Sequence, residues 1–262
     1  MRIVVKIGTS TLTHATGRLN IRRVECLCKT LADLKNAGHE IILVSSGAIG
    51  MGVGKLMLPG RPDDMPTKQA AAAVGQCELM YTYDKLFEEF HHTVAQVLLT
   101  GEDVCNDKRR QNMKNTITRL LELQAIPIVN ENDAVVTDEI GVDNTIGEND
   151  TLSAIVAQLT EADLLVLLSD IDGLYTADPH RDPNARLIAR VDAITPEIEA
   201  LAGGKGSALG TGGMATKLSA AKLAIASGTD MVIANGQRPE LLYDIAAGKP
   251  VGTRFIAKER II

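Results

Sequence analysis

Tryptophan is absent from the 262 residues, and four tyrosines and three phenylalanines bring the aromatic share to only 3%. That leaves too few flat side chains for a platform that stacks single-stranded bases. An excess of positive charge is missing too. Lys and Arg number 27 against 33 Asp and Glu, a net charge of -6, so the electrostatic footprint of a duplex-DNA binder is not there. No apolar run approaches the ~18 residues that a membrane span needs, and Met1-Arg2-Ile3-Val4-Val5-Lys6 brings in a lysine too early for a signal peptide. A cytoplasmic protein is expected, with neither nucleic acid nor membrane as partner. The four cysteines, Cys26, Cys28, Cys77 and Cys105, form no CxxC pair and have no histidine at metal-ligand spacing, which argues against zinc. Cys26 and Cys28 lie two apart in a helical stretch and point in different directions, so reduced thiols are expected.

Hydrophobic residues make up 45% of the chain and charged ones 23%, the profile of a folded globular protein with a sizeable core. Runs rich in Val, Ile and Leu recur at 3–7, 41–44, 94–99, 126–129, 164–168 and 231–234, and read as buried strands. Between them helical spacing covers roughly 21–37, 68–90, 107–124, 151–159 and 214–226. This alternation predicts an α/β fold, a mostly parallel central sheet sandwiched by helices. The stripe Leu79, Met80, Tyr83, Leu86, Phe87 and Phe90 falls at three- and four-residue steps and reads as core. The Gly/Pro-dense segment 50–66 reads as a long loop of the kind that covers active sites.

Glycines follow three of the strands, at Gly8, at Gly47 and Gly50, and at Gly173. In open α/β sheets ligands bind beyond the carboxyl ends of strands, and glycine lets backbone N–H groups approach an anion there. The P-loop pattern is missing, no strand precedes Gly210-Thr211-Gly212-Gly213 as a dinucleotide fingerprint would require, and there is no G-x-S-x-G elbow. What remains suits phosphoryl transfer, which needs positioning and charge neutralisation more than covalent chemistry. Lys6 sits inside an apolar strand just before the Gly8 turn, a placement that packing alone does not call for unless the strand is an edge. Lys217 follows Gly212-Gly213 by one helical turn. Two polar clusters, Asn130-Glu131-Asn132-Asp133 and Gly147-Glu148-Asn149-Asp150, stand at element ends. Capping alone suffices for Glu148 in the second, whereas the first has more polar groups after a buried strand than a cap requires, as a polar small-molecule site would.

Six collinear segments carry a resemblance: Val5 to Ser10, Val44 to Ile49, Lys68 to Gln76, Asn130 to Val135, Leu168 to Pro179, and Gly210 to Lys217. Together they resemble the amino acid kinase family, in order from residue 2 to about residue 256. Ser45-Ser46-Gly47-Ala48, where other branches carry a run of glycines, is similar to the branch that phosphorylates glutamate. The resemblance implies ATP-dependent phosphorylation of the L-glutamate γ-carboxylate to L-glutamyl 5-phosphate, the first step of proline biosynthesis. It implies Lys6 and Lys217 on the transferring phosphate with Asp150 orienting both, and Ser46, Asp133 and Asn149 on glutamate. ATP would lie against Lys6, Ser169, Asp170, and Thr211, Gly212, Gly213, Met214, Ala215, Thr216 and Lys217. Magnesium would arrive on the ATP phosphates, with no residue set ligating it directly. One kinase domain is expected over 1–262, its part up to about residue 160 holding the amino acid and the remainder holding ATP, without the C-terminal PUA domain many relatives carry. A homo-oligomer, dimer or tetramer, and proline feedback inhibition are further expectations of the resemblance.

The usual Gly-Asp-Asn-Asp is here Gly147-Glu148-Asn149-Asp150, and Asp143-Asn144 offers an earlier look-alike. Leu152-Ser153-Ala154 follows at the family's spacing and assigns the roles to Asn149 and Asp150. Two alternatives stay open: a branch acting on N-acetylglutamate, aspartate or UMP, and a non-catalytic sensor of the same fold, which would have no need for both lysines.

Overall fold

The computed structural model describes residues 1–14, 18–135, 149–179, 181–202 and 213–257. The chain opens with β1 (Arg2–Ile7), α1 (Thr9–Leu12), α2 (Ile21–Asn36), β2 (Glu40–Ser45), α3 (Ala48–Lys55), α4 (Met65–Glu88) and β3 (Val94–Leu99). There follow α5 (Gly101–Cys105), α6 (Asp107–Glu122), β4 (Ile126–Glu131), α7 (Asn149–Leu159) and β5 (Leu164–Ser169). The remainder is β6 (Arg190–Val191), α8 (Pro196–Ala202), α9 (Met214–Ala226), β7 (Asp230–Asn235), α10 (Leu241–Ala246) and β8 (Thr253–Phe255). These strands form a single sheet in the order β3-β4-β2-β1-β5-β7-β8-β6, parallel throughout except where β8 runs antiparallel to β7.

Both faces of the sheet are covered, which is why β1, β2, β4 and β5 read as near-continuous apolar runs. Because side chains alternate between faces, Ile3, Val5 and Ile7 pack with α2, α4 and α10, whereas Val4 packs with α6, α7 and α9. Lys6 shares the face of Val4. In the sheet order β1 is central, so Lys6 is not a guard on an exposed edge.

Side-chain caps fix several helix starts. Asn20, Asp64 and Asn106 accept from the backbone N–H of Arg23, Thr67 and Arg109, and Thr100 with Asp103 forms a capping box. Leu79, Tyr83 and Phe87 of the expected stripe are fully buried, and Met80, Leu86 and Phe90 pack partly buried around them.

The expectation of one long loop over 50–66 is corrected. Residues Ala48–Lys55 form α3, and α4 already starts at Met65 with a proline in its first turn. Gly52 of α3 and Gly75 of α4 serve close packing. A Cβ on Gly52 would stand 1.8 Å from the Ala71 carbonyl oxygen, and one on Gly75 would stand 1.7 Å from that of Ala48. The two helices therefore touch backbone to backbone, and only the stretch between Leu56 and Asp64 links them.

Candidate active site

The carboxyl ends of β1, β2, β4, β5 and β7 lie along one edge of the sheet, because all five run parallel with Ile7 paired to Ser45 and Leu168, and Ser169 to Asn235. Each contributes polar residues at its end: Lys6, Ser45-Ser46, Asn130-Glu131, Ser169-Asp170 and Asn235-Gly236. Above this edge α7 and α9 begin.

The centre of the site is a carboxylate gripped by two ammonium groups. Lys6 on β1 places Nζ 2.6 Å from Asp150 Oδ1, and Lys217 on α9 places Nζ 3.2 Å from Asp150 Oδ2. Thr216 donates its hydroxyl to the same Oδ2 at 3.2 Å. The side chains are 12%, 2% and 8% exposed for Lys6, Asp150 and Lys217, so these charges are largely out of water and their mutual attraction is strong. Burial would raise the Asp150 carboxyl, but Lys6 and then Lys217 outweigh it and hold it below the usual carboxylate range. Two cations against one anion leave a surplus of positive charge facing the sheet edge. Gly213, the N-cap of α9, adds backbone donors one turn before Lys217. Such a centre suits a phosphoryl group in flight.

Beside it runs a chain of amides. Asn149 Nδ2 donates to Ser46 Oγ at 2.6 Å and to Asn130 Oδ1 at 3.0 Å, and Asn130 Nδ2 donates to Gln76 Oε1 at 2.9 Å. Ser46 sits where β2 turns into α3. The turn is made by Gly47 at φ 109, a left-handed conformation that favours glycine. Ser45 is tied to the Tyr83 hydroxyl at 2.8 Å, which anchors the end of β2 to α4.

Next to the amides lies a cavity of about 350 Å³ bordered by Ala48, Ala72, Gln76, Leu98, Glu131 and Asp133. Burial, and then the neighbouring Asp133, push Glu131 up to about 7. Burial also raises Asp133, which Arg61 partly offsets. A hollow with largely apolar walls and two carboxylates in its lining has the chemistry that suits a small molecule carrying an amine.

On the other side of the lysines, Ser169 donates to Asp170 at 3.0 Å at the end of β5. Nearby, Asn235 donates to Asp172 at 2.8 Å and the Tyr175 hydroxyl donates to the same residue at 3.1 Å.

Of the residues singled out in the sequence, the structure brings Lys6, Asp150, Thr216 and Lys217 together and joins Ser46 to Asn149. Asp133 stands in the adjoining cavity, away from the lysine centre. Gly213, Met214 and Ala215 open α9, while Thr211, Gly212 and the departing stretch 140–148 lie outside the described residues. Gln76, Asn130 and the Asp172–Asn235 pair were not among the expected site residues. Asn130 was visible as part of its polar cluster. Gln76 closes the resemblance segment Lys68 to Gln76, but a glutamine in an alanine-rich helix reads locally as surface.

The model of the amino acid kinase family matches residues 1–235. The glutamate 5-kinase of Clostridium perfringens is 54% identical over 258 residues, covering 98% of this chain and 96% of that protein. The glutamate 5-kinase of Listeria welshimeri is 53% identical over 258 residues, covering 98% and 94%. Among solved structures, the carbamate kinase of Giardia lamblia bound to AMP-PNP superposes with a TM-score of 0.70 at 18% identity, covering 98% of each chain, a likeness of fold.

Proposed function

The chain belongs to the amino acid kinase family, within its glutamate 5-kinase branch, and we propose that it transfers the γ-phosphoryl group of ATP to the γ-carboxylate of L-glutamate. The observation that carries the reading is the Lys6–Asp150–Lys217 triad at the carboxyl edge of the sheet. A carboxylate is already a nucleophile at neutral pH, so no base has to be supplied. The chain needs instead to hold the acceptor in line and to offset charge on the phosphoryl oxygens. Lys6 and Lys217 supply that charge, and Asp150, with Thr216 as a further tether, fixes where they point.

Glutamate lies on the β2–β4 side of the triad, its amine toward Asp133 and its reacting end toward Ser46 and Asn149. ATP lies on the β5–β7 side, against Ser169, Asp170 and the first turn of α9. The residues present fit a magnesium ion that travels on the nucleotide phosphates. Mg²⁺ is commonly held through the phosphates of its nucleotide and through waters, with few protein ligands. Bound there, magnesium supplies further neutralisation of phosphate charge.

Among the described residues no helix is long and apolar enough to cross a membrane. A cytoplasmic setting, a homo-oligomer, inhibition by proline at the glutamate pocket, and a division of labour near residue 160 belong to the same reading.

Incubation with ATP, Mg²⁺, hydroxylamine and a panel of carboxylates tests it. The acyl phosphate is trapped as a hydroxamate, fastest with glutamate. Faster trapping with N-acetylglutamate or aspartate, or none with any carboxylate, overturns the assignment.

A further inference from the structure

The amide chain has a direction, and that direction has chemical consequences. Both protons of Asn149 Nδ2 are spent, one on Ser46 Oγ and one on Asn130 Oδ1. Ser46 accepts from Asn149 and so keeps its own O–H to donate, while Asn149 keeps only its carbonyl oxygen. Asn130 can accept from Asn149 in this sense because its own Nδ2 is taken by Gln76 Oε1 at 2.9 Å. Gln76 is therefore the end of the chain that sets the sense of every bond in it. It is 8% exposed, sits on α4 and is packed where that helix meets α3. Its other end is unusual. Among the described residues Gln76 Nε2 is buried with no hydrogen-bond partner, while Gln76 borders the cavity shared by Glu131 and Asp133. A buried donor left unpaired forfeits its hydration without return, a penalty that a ligand oxygen at that position removes.

We propose that Gln76 determines acceptor specificity: its Nε2–H donates to a carboxylate oxygen of the acceptor, and its Oε1, through Asn130 and Asn149, keeps Ser46 oriented as a second donor. The idea rests on the reading of the site as a carboxylate kinase. It adds a residue from the helix wall, so that the acceptor is gripped from α4 as well as from the strand ends. The walls beside it, Ala48, Ala72 and Leu98, are apolar; Gln96 and Asn132 carry the other side-chain amides that line the cavity, and Gln76 differs from them in joining its donor to the chain that ends on Ser46.

Two variants separate the functions of the amide. Gln76→Glu keeps an acceptor for Asn130 and loses the Nε2–H. Gln76→Met keeps the length and loses both. For Gln76→Glu the acceptor KM is expected to rise about tenfold or more with ATP KM unchanged and kcat nearly so, because a donor has become a carboxylate facing a carboxylate. The ratio of variant to wild-type KM should fall back as pH is lowered, since the introduced carboxyl regains an O–H to donate once it is protonated. Gln76→Met should raise acceptor KM and lower kcat together; in the Ser46→Ala background its effect on kcat should largely vanish, because the chain it orients then ends in nothing, while the rise in acceptor KM from the lost Nε2–H remains. A thermal midpoint for each variant separates these effects from loss of folding. Acceptor KM unchanged in Gln76→Glu, or acceptor and ATP KM rising in parallel, overturns the proposal. If the wild type turns over another carboxylate in place of glutamate, the functional reading falls, and the same ratios measured on that acceptor still decide for or against Gln76.

Discussion

Asp150 Oδ2 lies 3.2 Å from Lys217 Nζ, 67 residues further along the chain, and the pair closes the site between α7 and α9. Its other oxygen holds Lys6 from β1. The carboxylate thus joins three elements that meet only in the folded protein.

Removing either cation should strike turnover harder than binding. Lys6→Ala and Lys217→Ala are expected to lower kcat by about 10²-fold or more with a smaller change in glutamate KM, because the charge they offset is greatest in the transition state. Asp150→Asn should likewise cut kcat. Steady-state rates at saturating ATP decide: weaker ATP binding at unchanged kcat rejects the catalytic role.

Asp133→Asn keeps shape and removes charge at the amine end of the cavity. A charge-assisted contact is worth about 1.5–3 kcal/mol, so glutamate KM should rise roughly tenfold or more while ATP KM stays nearly constant. Proline inhibition, measured alongside, should weaken. A rise in ATP KM alone places the acceptor elsewhere.

Glu131 gives the site a pH dependence near neutrality. Its folded value of about 7 stands above the ordinary 4.5, so its contribution to stability is complete below about 4.5 and is lost as pH rises through about 7. Glu131→Gln should flatten the fall of the thermal midpoint across that window. The same ionisation adds negative charge beside Asp133, so glutamate KM in the wild type should drop as pH rises through about 7. A midpoint profile identical in variant and wild type would sink the assignment.

Gly75→Ala tests the contact between α3 and α4. Its Cβ would stand 1.7 Å from the Ala48 carbonyl oxygen, so the helices must part, at a cost of roughly 1–3 kcal/mol or more. The thermal midpoint should fall by several degrees, and glutamate KM should rise because Ser46 and Gly47 open α3. Gly60→Ala meets nothing within 4 Å and serves as the control.

Much of this frame is legible in the chain. The run Val94–Leu99 and the spacing over Met214–Ala226 coincide with β3 and α9, and the other major strands extend the apolar runs by one or two residues. The residues added at the carboxyl ends, such as Ser45 and Asn130-Glu131, are polar because the ladder continues there into the site, while Arg2, Glu40 and Asp230 are added at the opposite edge. Short elements such as β6 and β8 span too few residues for a period to show. The helix α3 was hidden because Gly50, Gly52 and Gly54 disfavour helix, and the close approach of Gly52 to α4 that offsets this is not visible in the local sequence. Lys6 was readable, being a charge in an apolar strand. The role of Gln76 depends on partners 54 residues away and has no local sign.

Asn149 and Asp150 are consecutive residues at the start of α7, yet they meet different partners, Ser46 and Asn130 for the first, Lys6 and Lys217 for the second. Successive side chains on a helix diverge by about 100° with a rise of about 1.5 Å, so one peptide unit acts as a fixed pair of dividers, one point on the amide chain and the other on the two lysines. The spacing between the amide chain and the lysine pair is thereby set by backbone geometry. In the proposed reaction, an acceptor of another length would be met by resizing the far end of the cavity, around Glu131 and Asp133, with the dividers left where they stand.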